Sequence, residues 1–197
     1  MIIALCGPAA AGKGTLARML AEYLDLSHYD FGLIFRGIAF LNHRWELEEI
    51  RSLISKQYLR IEGGQFILRW LNLTSHLVSE EVGLRTARMV KEKPEAFIQS
   101  ACTMVRDRNF VCDGRTCGSE IYPDANFIFY ITADVEERKK RRVRNIGESK
   151  AFARRECLDS QRLQIPPRAI IIETTGKTKE ESLEEILVCL KDRELVL

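Results

Sequence analysis

The chain has 197 residues, of which 46% are hydrophobic, which is enough for one α/β core and too few for two independent domains. Its 30 basic and 28 acidic side chains give a formal net charge of +2, so no overall electrostatic field favours nucleic acid or an anionic membrane. The six cysteines show neither CxxC spacing nor a neighbouring histidine cluster, which predicts buried thiols in a reducing compartment rather than a zinc site. Three histidines without a partner pattern, His28, His43 and His76, are expected to be structural or surface residues. We expect a cytoplasmic protein, a monomer, that binds neither nucleic acid nor membrane.

The first elements form a strand, a loop and a helix. Ile2–Cys6 is a short unbroken apolar run, typical of a strand buried on both faces. It is too short for the apolar part of a signal peptide or for a membrane span. A helix is predicted to follow over Lys13–Leu24, because its apolar residues recur at helical spacing. These residues are Leu16, Met19, Leu20 and Tyr23.

The character of the chain changes between residues 45 and 82. A short helical stretch is followed by two β-like runs, Tyr58–Ile61 and Phe66–Trp70, on either side of Gly63-Gly64. We interpret this segment as an inserted hairpin flap on the core, which is expected to occupy residues 1–44, 83–136 and 165–197.

Further strands and helices alternate in the second half. Apolar runs occupy Asn109–Cys112, Phe127–Ile131 and Ala169–Ile172. The charged segment Glu136–Arg144 follows Asp134, a candidate N-cap, and is predicted to be helical. The closing helix places one apolar face at helical spacing, through Leu183, Ile186, Leu187 and Leu190. Such alternation predicts an α/β fold with a parallel sheet.

A GxxxxGK motif lies between the first strand and the first helix, the position in which this motif binds phosphate. It reads Gly7-Pro8-Ala9-Ala10-Ala11-Gly12-Lys13-Gly14-Thr15. Its amide N–H groups and the helix N-terminus are expected to face phosphate oxygens, with Lys13 at the β- and γ-phosphates of ATP. Because Gly14 stands where a hydroxyl residue usually follows the lysine, Thr15 is expected to bind Mg²⁺. Ala10 replaces a loop glycine and costs on the order of a kcal/mol unless its φ is negative.

Three later motifs carry a family resemblance. They are Asp30–Arg36 (DFGLIFR), Asp113–Gly118 (DGRTCG) and Tyr122–Ala125 (YPDA). Together with GPAAAGKGT they resemble bacterial cytidylate kinases, in which the same stretches read close to DSGAIYR, DGRDMG and FPDA in this order. The resemblance covers nearly the whole chain. It implies a P-loop NTPase fold with a five-stranded parallel sheet flanked by helices, a monophosphate-binding insert over about 45–82 and a short lid over about 137–164. The activity it implies is Mg²⁺-dependent phosphoryl transfer from ATP to CMP or dCMP.

The same resemblance implies substrate-binding residues. They are Asp30, Arg36, Asp113, Arg115, Thr116, Asp159 and Arg162. Transfer between two anionic phosphates needs positive charge on both sides, which suits arginines on the acceptor nucleotide. Asp159 matches a sugar-binding carboxylate. Asp113, at the carboxyl edge of the predicted sheet, is expected to orient a magnesium-bound water or Arg115.

The candidate catalytic side chains are Lys13 and three arginines of the lid segment, Arg138, Arg141 and Arg142. The arginines share one helical face, and guanidinium groups suit the transferred phosphate. The alternative for each of them is a surface ion pair.

The base pocket departs from the family pattern. Phe31 replaces a serine, Thr116 replaces an aspartate, and Arg88 and Phe97 stand where a serine and an arginine are expected. A threonine hydroxyl still accepts a hydrogen bond from an exocyclic amine, but without the charge of a carboxylate. A kinase of another small phosphorylated metabolite therefore remains an alternative. A nucleotide-dependent switch is a further alternative, disfavoured because no guanine-reading NKxD motif is present.

Overall fold

The computed structural model describes residues 1–42, 46–62, 65–68, 71–74, 77, 80–146 and 163–192. The chain divides into two compact units. The first unit is Met1–His28 together with Asn109–Leu197, and the second unit is Tyr29–Arg108. Among the described residues, no helix has the length and apolar content needed to cross a membrane. The predicted single domain, with its insert at 45–82 and lid at 137–164, stays a prediction.

Strands and helices alternate along the chain. In chain order they are β1 Ile2–Cys6, α1 Lys13–Tyr23, β2 Ser27–Asp30, α2 Phe31–Leu41, α3 Leu47–Ser55, β3 Leu59–Glu62, β4 Gln65–Leu68, β5 Leu71–Asn72, α4 Glu80–Glu92, α5 Pro94–Cys102, β6 Phe110–Asp113, a π-helix Cys117–Ile121, β7 Phe127–Thr132, α6 Val135–Ile146, β8 Ile170–Glu173 and α7 Lys179–Lys191.

A five-stranded sheet has the strand order β2-β6-β1-β7-β8. The central strand β1 pairs in parallel with β6 and β7, so that Ala4 lies opposite Cys112 on one side and Ile128 on the other. β8 pairs in parallel with β7. This confirms the predicted parallel sheet. The loops that follow β1, β6, β7 and β8 therefore meet at one edge, where α/β proteins bind ligands.

The core of the first unit lies where α1 and α7 cover the sheet. Ile3 and Leu5 of β1 are fully buried, as a strand covered on both faces requires. α7 buries Ile186, Leu187 and Leu190 in the same cluster, as its spacing predicts. Tyr23 was expected on the buried face of α1, but 58% of its surface is exposed. It stands in the last turn of the helix, just before the chain turns through Asp25 (φ 52°) into β2.

The second unit contains a small antiparallel sheet, β3-β4-β5, which confirms the predicted hairpin with its strand bounds shifted by a few residues. Gly63-Gly64 lies outside the described residues. Phe66 of β4 is fully buried, and its ring fills the space beside Gly37 of α2. A Cβ on Gly37 would stand 2.1 Å from that ring, so only glycine permits this packing.

Candidate active site

The phosphate loop begins at Gly7, directly after β1. Gly7 has a φ of 127°, and a Cβ there would stand 2.2 Å from the carbonyl oxygen of Ile131. Both the backbone angle and the contact with β7 therefore require glycine. The loop ends at Gly12, which has a φ of 100° and caps α1. Ala10 lies between them and has a φ of 61°. Because this φ is positive, alanine in place of the loop glycine costs on the order of a kcal/mol here.

Two carbonyl groups of the loop are held from outside by side chains. Arg138 Nη1 donates to the oxygen of Ala9 at 3.4 Å, and Thr174 Oγ1 shares its proton between the oxygens of Ala11 and Thr132, each at 3.0 Å. In a trans peptide the N–H group points opposite to the carbonyl. The amides of Ala10 and Gly12 consequently face the other side, where a phosphate can accept from them.

Lys13 lies across this loop. It is 9% exposed, and its Nζ donates to the carbonyl oxygen of Pro8 at 2.6 Å. An ammonium group so shielded from water interacts strongly with an anion bound in the loop. Thr15, in the first turn of α1, is exposed, so its hydroxyl is open to a ligand.

Two of the predicted lid arginines, Arg138 and Arg141, donate hydrogen bonds to backbone carbonyl groups beside the phosphate loop. Arg138 is 4% exposed, and its Nε donates to the carbonyl oxygen of Ala133 at 2.9 Å. Arg141 donates to Glu137 Oε1 at 3.0 Å, and its two terminal nitrogens donate to Oγ1 and the carbonyl oxygen of Thr174 at 2.9 and 2.8 Å. Arg138 is buried rather than on the surface, whereas Arg141 forms an ion pair with Glu137, as the alternative of a surface ion pair predicts in part. The catalytic role of Arg138, Arg141 and Arg142 stays a prediction.

Asp113 lies at the carboxyl end of β6 and is 6% exposed. Its Oδ1 is 2.7 Å from His28 Nε2. Its Oδ2 and Oδ1 lie 3.5 and 4.0 Å from the position that a Cβ on Gly14 would take. The carboxylate thus faces the first turn of α1, which also carries Thr15. His28, within β2, and Thr174, directly after β8, make contacts here that sequence reasoning missed.

The segment after Asp113 is fastened to the phosphate loop. The carbonyl of Arg115 accepts from the Gly7 amide at 3.4 Å. The carbonyl of Thr116 accepts from the amides of the π-helix, those of Ser119, Glu120 and Ile121, at 3.2, 2.9 and 3.3 Å. Thr116 itself is 8% exposed. The first unit therefore brings together the loop, Asp113, Arg115 and Thr116 at one edge of its sheet.

Three of the six cysteines, Cys6, Cys112 and Cys117, are buried as predicted. Cys102 and Cys189 are only half-buried, and Cys157 lies outside the described residues. Burial raises the pKa of Cys6 to about 11. Burial and the neighbouring Cys112 thiol also raise the pKa of Cys117 well above its ordinary value. Both stay protonated at neutral pH, so neither is a reactive nucleophile.

The second unit carries two of the predicted substrate residues on or beside α2. Asp30 caps this helix, because its Oδ1 accepts from the Leu33 amide at 2.9 Å. Arg36 lies in the middle of α2 and is half-buried. Asp159 and Arg162 lie outside the described residues.

Phe31 and Phe97, which stand where the resemblance leads one to expect a serine and an arginine, are both fully buried. Phe35 links them: its ring centroid is 6.0 Å from that of Phe31 and 6.4 Å from that of Phe97. The two departures from the family pattern are therefore parts of one aromatic cluster inside the second unit.

A family model described as "Cytidylate kinase" matches residues 3–192. The chain belongs to the cytidylate kinase family. A cytidylate kinase of Caldanaerobacter subterraneus is 30% identical over 212 residues, covering 96% of this chain and 94% of that one. A cytidylate kinase of Aquifex aeolicus is 29% identical and covers 98% and 97%. The solved structure of the Thermus thermophilus protein TT1252 has a TM-score of 0.55 at 16% identity, covering 98% and 97%, a likeness of fold.

Membership of the cytidylate kinase family makes the protein a nucleoside monophosphate kinase, a phosphotransferase whose substrates are small nucleotides. ATP use belongs to the same family, and the glycine-rich loop of the first unit matches it.

Proposed function

We propose that the protein transfers the γ-phosphoryl group of ATP to CMP or dCMP by direct in-line transfer, giving ADP and the nucleoside diphosphate. The observation that carries this proposal is the phosphate loop. The carbonyl groups of Ala9 and Ala11 accept hydrogen bonds from side chains outside the loop, and Lys13 donates to the carbonyl group of Pro8 within it. The relatives are named cytidylate kinases. Together with that name, this arrangement supports a kinase that binds a nucleoside triphosphate and a pyrimidine nucleoside monophosphate.

The donor side needs positive charge at the β- and γ-phosphates. Lys13 supplies a fixed, shielded ammonium, and the amides turned toward the loop interior supply further donors without any rearrangement. Both stabilise the charge that moves to the β-phosphate in the transition state.

The residues at the first turn of α1 fit Mg²⁺, which prefers oxygen ligands and keeps part of its water. The exposed hydroxyl of Thr15 would bind the ion, and Asp113, whose Oδ2 faces Gly14, would hold one of its waters. Mg²⁺ held by these residues would neutralise part of the charge of the phosphates.

On the acceptor side we assign Arg36, Arg115 and Arg162, together with Asp30, to the acceptor nucleotide, and Asp159 to its sugar. Arg142, with Arg138 and Arg141, completes the positive charge around the transferred group.

Thr116 is the residue to which we assign base selectivity. Phe31 and Phe97 are buried in the aromatic cluster and offer the base no polar group. A neutral hydroxyl accepts from the cytosine amine more weakly than a carboxylate does. CMP is therefore expected to be the best acceptor, with UMP close behind.

The aromatic cluster favours a second candidate function. With Phe31 and Phe97 in place of polar side chains, the acceptor could be a small phosphorylated metabolite without a pyrimidine base. The reaction and the donor site would be the same, and only the acceptor would differ.

A screen of monophosphates for ADP release tests both candidates. ATP with CMP, dCMP, UMP, AMP and a panel of phosphorylated metabolites is expected to give the largest kcat/KM with CMP or dCMP. Lys13→Ala should lower kcat at least about 10²-fold, since loss of one such contact costs that much. Lys179→Ala, a change at an exposed lysine of α7, serves as the control. Activity on a metabolite and on neither pyrimidine would establish the second candidate instead.

A further inference from the structure

His28 lies in β2 and contacts the carboxylate at the end of β6. Its Nε2 is 2.7 Å from Oδ1 of Asp113, and the two side chains are 15% and 9% exposed. An ionised carboxylate only accepts hydrogen bonds, so Nε2 carries a proton and donates it. A hydrogen bond to a charged acceptor that is shielded from water is among the stronger ones in proteins.

This bond determines where the second oxygen of Asp113 points. Rotation about χ2 of an aspartate is broad, so an unsupported carboxylate takes many orientations. With Oδ1 bound to His28, Oδ2 is the oxygen nearer the first turn of α1: the position of a Cβ on Gly14 is 3.5 Å from Oδ2 and 4.0 Å from Oδ1. Thr15, whose hydroxyl would bind Mg²⁺, is the next residue of that turn.

We propose that His28 is a positioning residue for the magnesium site: by donating to Oδ1 of Asp113 it holds Oδ2 toward the turn that carries Thr15. Hydrogen bonds from outside the ligand set orient metal-binding carboxylates in this way. The inference rests on the proposed function, which assigns Asp113 to the water shell of Mg²⁺.

Binding of a non-hydrolysable ATP analogue, measured by titration calorimetry with and without MgCl₂, tests this role. The quantity of interest is the factor by which Mg²⁺ raises the affinity. His28→Leu, which removes the donor, should reduce this factor about tenfold and leave the affinity without Mg²⁺ unchanged. His28→Gln, whose amide replaces the Nε2 donor, should restore most of the factor. Ser27→Ala, a change at the exposed neighbouring residue, is the control.

A double-mutant cycle separates positioning from a merely structural contact. If His28 acts through Asp113, His28→Leu should change nothing further in an Asp113→Asn protein. An equal loss in both backgrounds, or no loss in His28→Leu alone, would overturn the proposal. Circular dichroism checks that each variant is folded. Should His28→Leu not fold, His28→Asn replaces it, because its shorter amide does not reach Asp113.

The outcomes distinguish this inference from the proposed function. If CMP is phosphorylated but the cycle shows no coupling between His28 and Asp113, the inference alone fails. When the coupling is present but neither CMP nor dCMP is an acceptor, the proposed acceptor alone is wrong. If Asp113→Asn itself leaves the Mg²⁺ factor unchanged, both the metal assignment of Asp113 and the positioning role of His28 are refuted.

Discussion

At the sheet edge that carries the phosphate loop, some residues are required by the fold and others can be replaced. Gly7 belongs to the first group, because its Cβ would enter the carbonyl of Ile131. Ala10 and Thr116 belong to the second. Ala10 strains the loop backbone, and Thr116 is the buried residue to which we assign base selectivity.

Ala10→Gly is expected to raise the free energy of unfolding by roughly 1 kcal/mol, because Ala10 holds a left-handed φ of 61° that favours glycine. Urea denaturation measures the change. Ala9→Gly is the matched control: Ala9 does not have a positive φ, so the added flexibility should lower the same free energy by about 0.5–1 kcal/mol. Equal effects of the two changes would contradict the role of the backbone angle.

Thr116→Asp is expected to increase the ratio of kcat/KM for CMP to that for UMP. A carboxylate accepts from the cytosine amine about 1–2 kcal/mol more favourably than a hydroxyl does and repels the uracil carbonyl, which corresponds to roughly tenfold in the ratio. Steady-state kinetics with both acceptors measures it. Thr116→Val, which removes the hydroxyl and keeps the shape, should move the ratio the other way. A ratio unchanged in both variants would remove Thr116 from the base site.

Among the elements, α2 packs closely against the small sheet of the second unit at Gly37. Gly37→Ala would place a methyl group 2.1 Å from the ring of Phe66. We expect a loss of about 1–3 kcal/mol in the free energy of unfolding, the usual cost of overpacking. At an open helical position the same change would stabilise the protein by about 0.5–1 kcal/mol, so the sign is diagnostic. Adding Phe66→Leu should recover part of the loss, and urea denaturation of the three variants decides the matter.

For the whole molecule, the buried thiols predict how stability changes at high pH. Burial raises the pKa of Cys6 from 9.0 to about 11, so the unfolded chain loses this proton at a lower pH than the folded protein does. The stability associated with the protonated thiol is therefore complete below pH 9 and is lost as the pH rises toward 11. A shift of this size corresponds to roughly 2–3 kcal/mol.

Cys6→Ala isolates this contribution. The variant is expected to be less stable than the wild type at pH 7, because it loses a buried side chain, and the difference should narrow between pH 9 and 11. Urea unfolding at a series of pH values measures both. A constant difference would mean that the Cys6 thiol ionises equally in the folded and unfolded states.

The sequence predicts those parts of the protein whose pattern lies within a short stretch of neighbouring residues. β1, the phosphate loop and α1 follow one another within 23 residues, and each has its own local pattern. The contacts that it does not predict join distant residues: His28 to Asp113 across 85 positions, Arg138 to Ala9 across 129, and Thr174 to Ala11 across 163. A helical run of charges predicts a solvated face, and nothing in it reveals that Arg138 meets backbone carbonyls. Only the folded sheet edge brings donor and acceptor together.

Three amides donate to the carbonyl of Thr116, and this bears on how an enzyme of this family can evolve. They hold the backbone at this point through main-chain groups, which are the same whatever side chain is present. Replacing residue 116 therefore leaves the attachment of Arg115 to Gly7 intact. Under the base-selecting role proposed for Thr116, a lineage could change its choice of nucleotide by mutation at this position without disturbing the backbone of the phosphate loop.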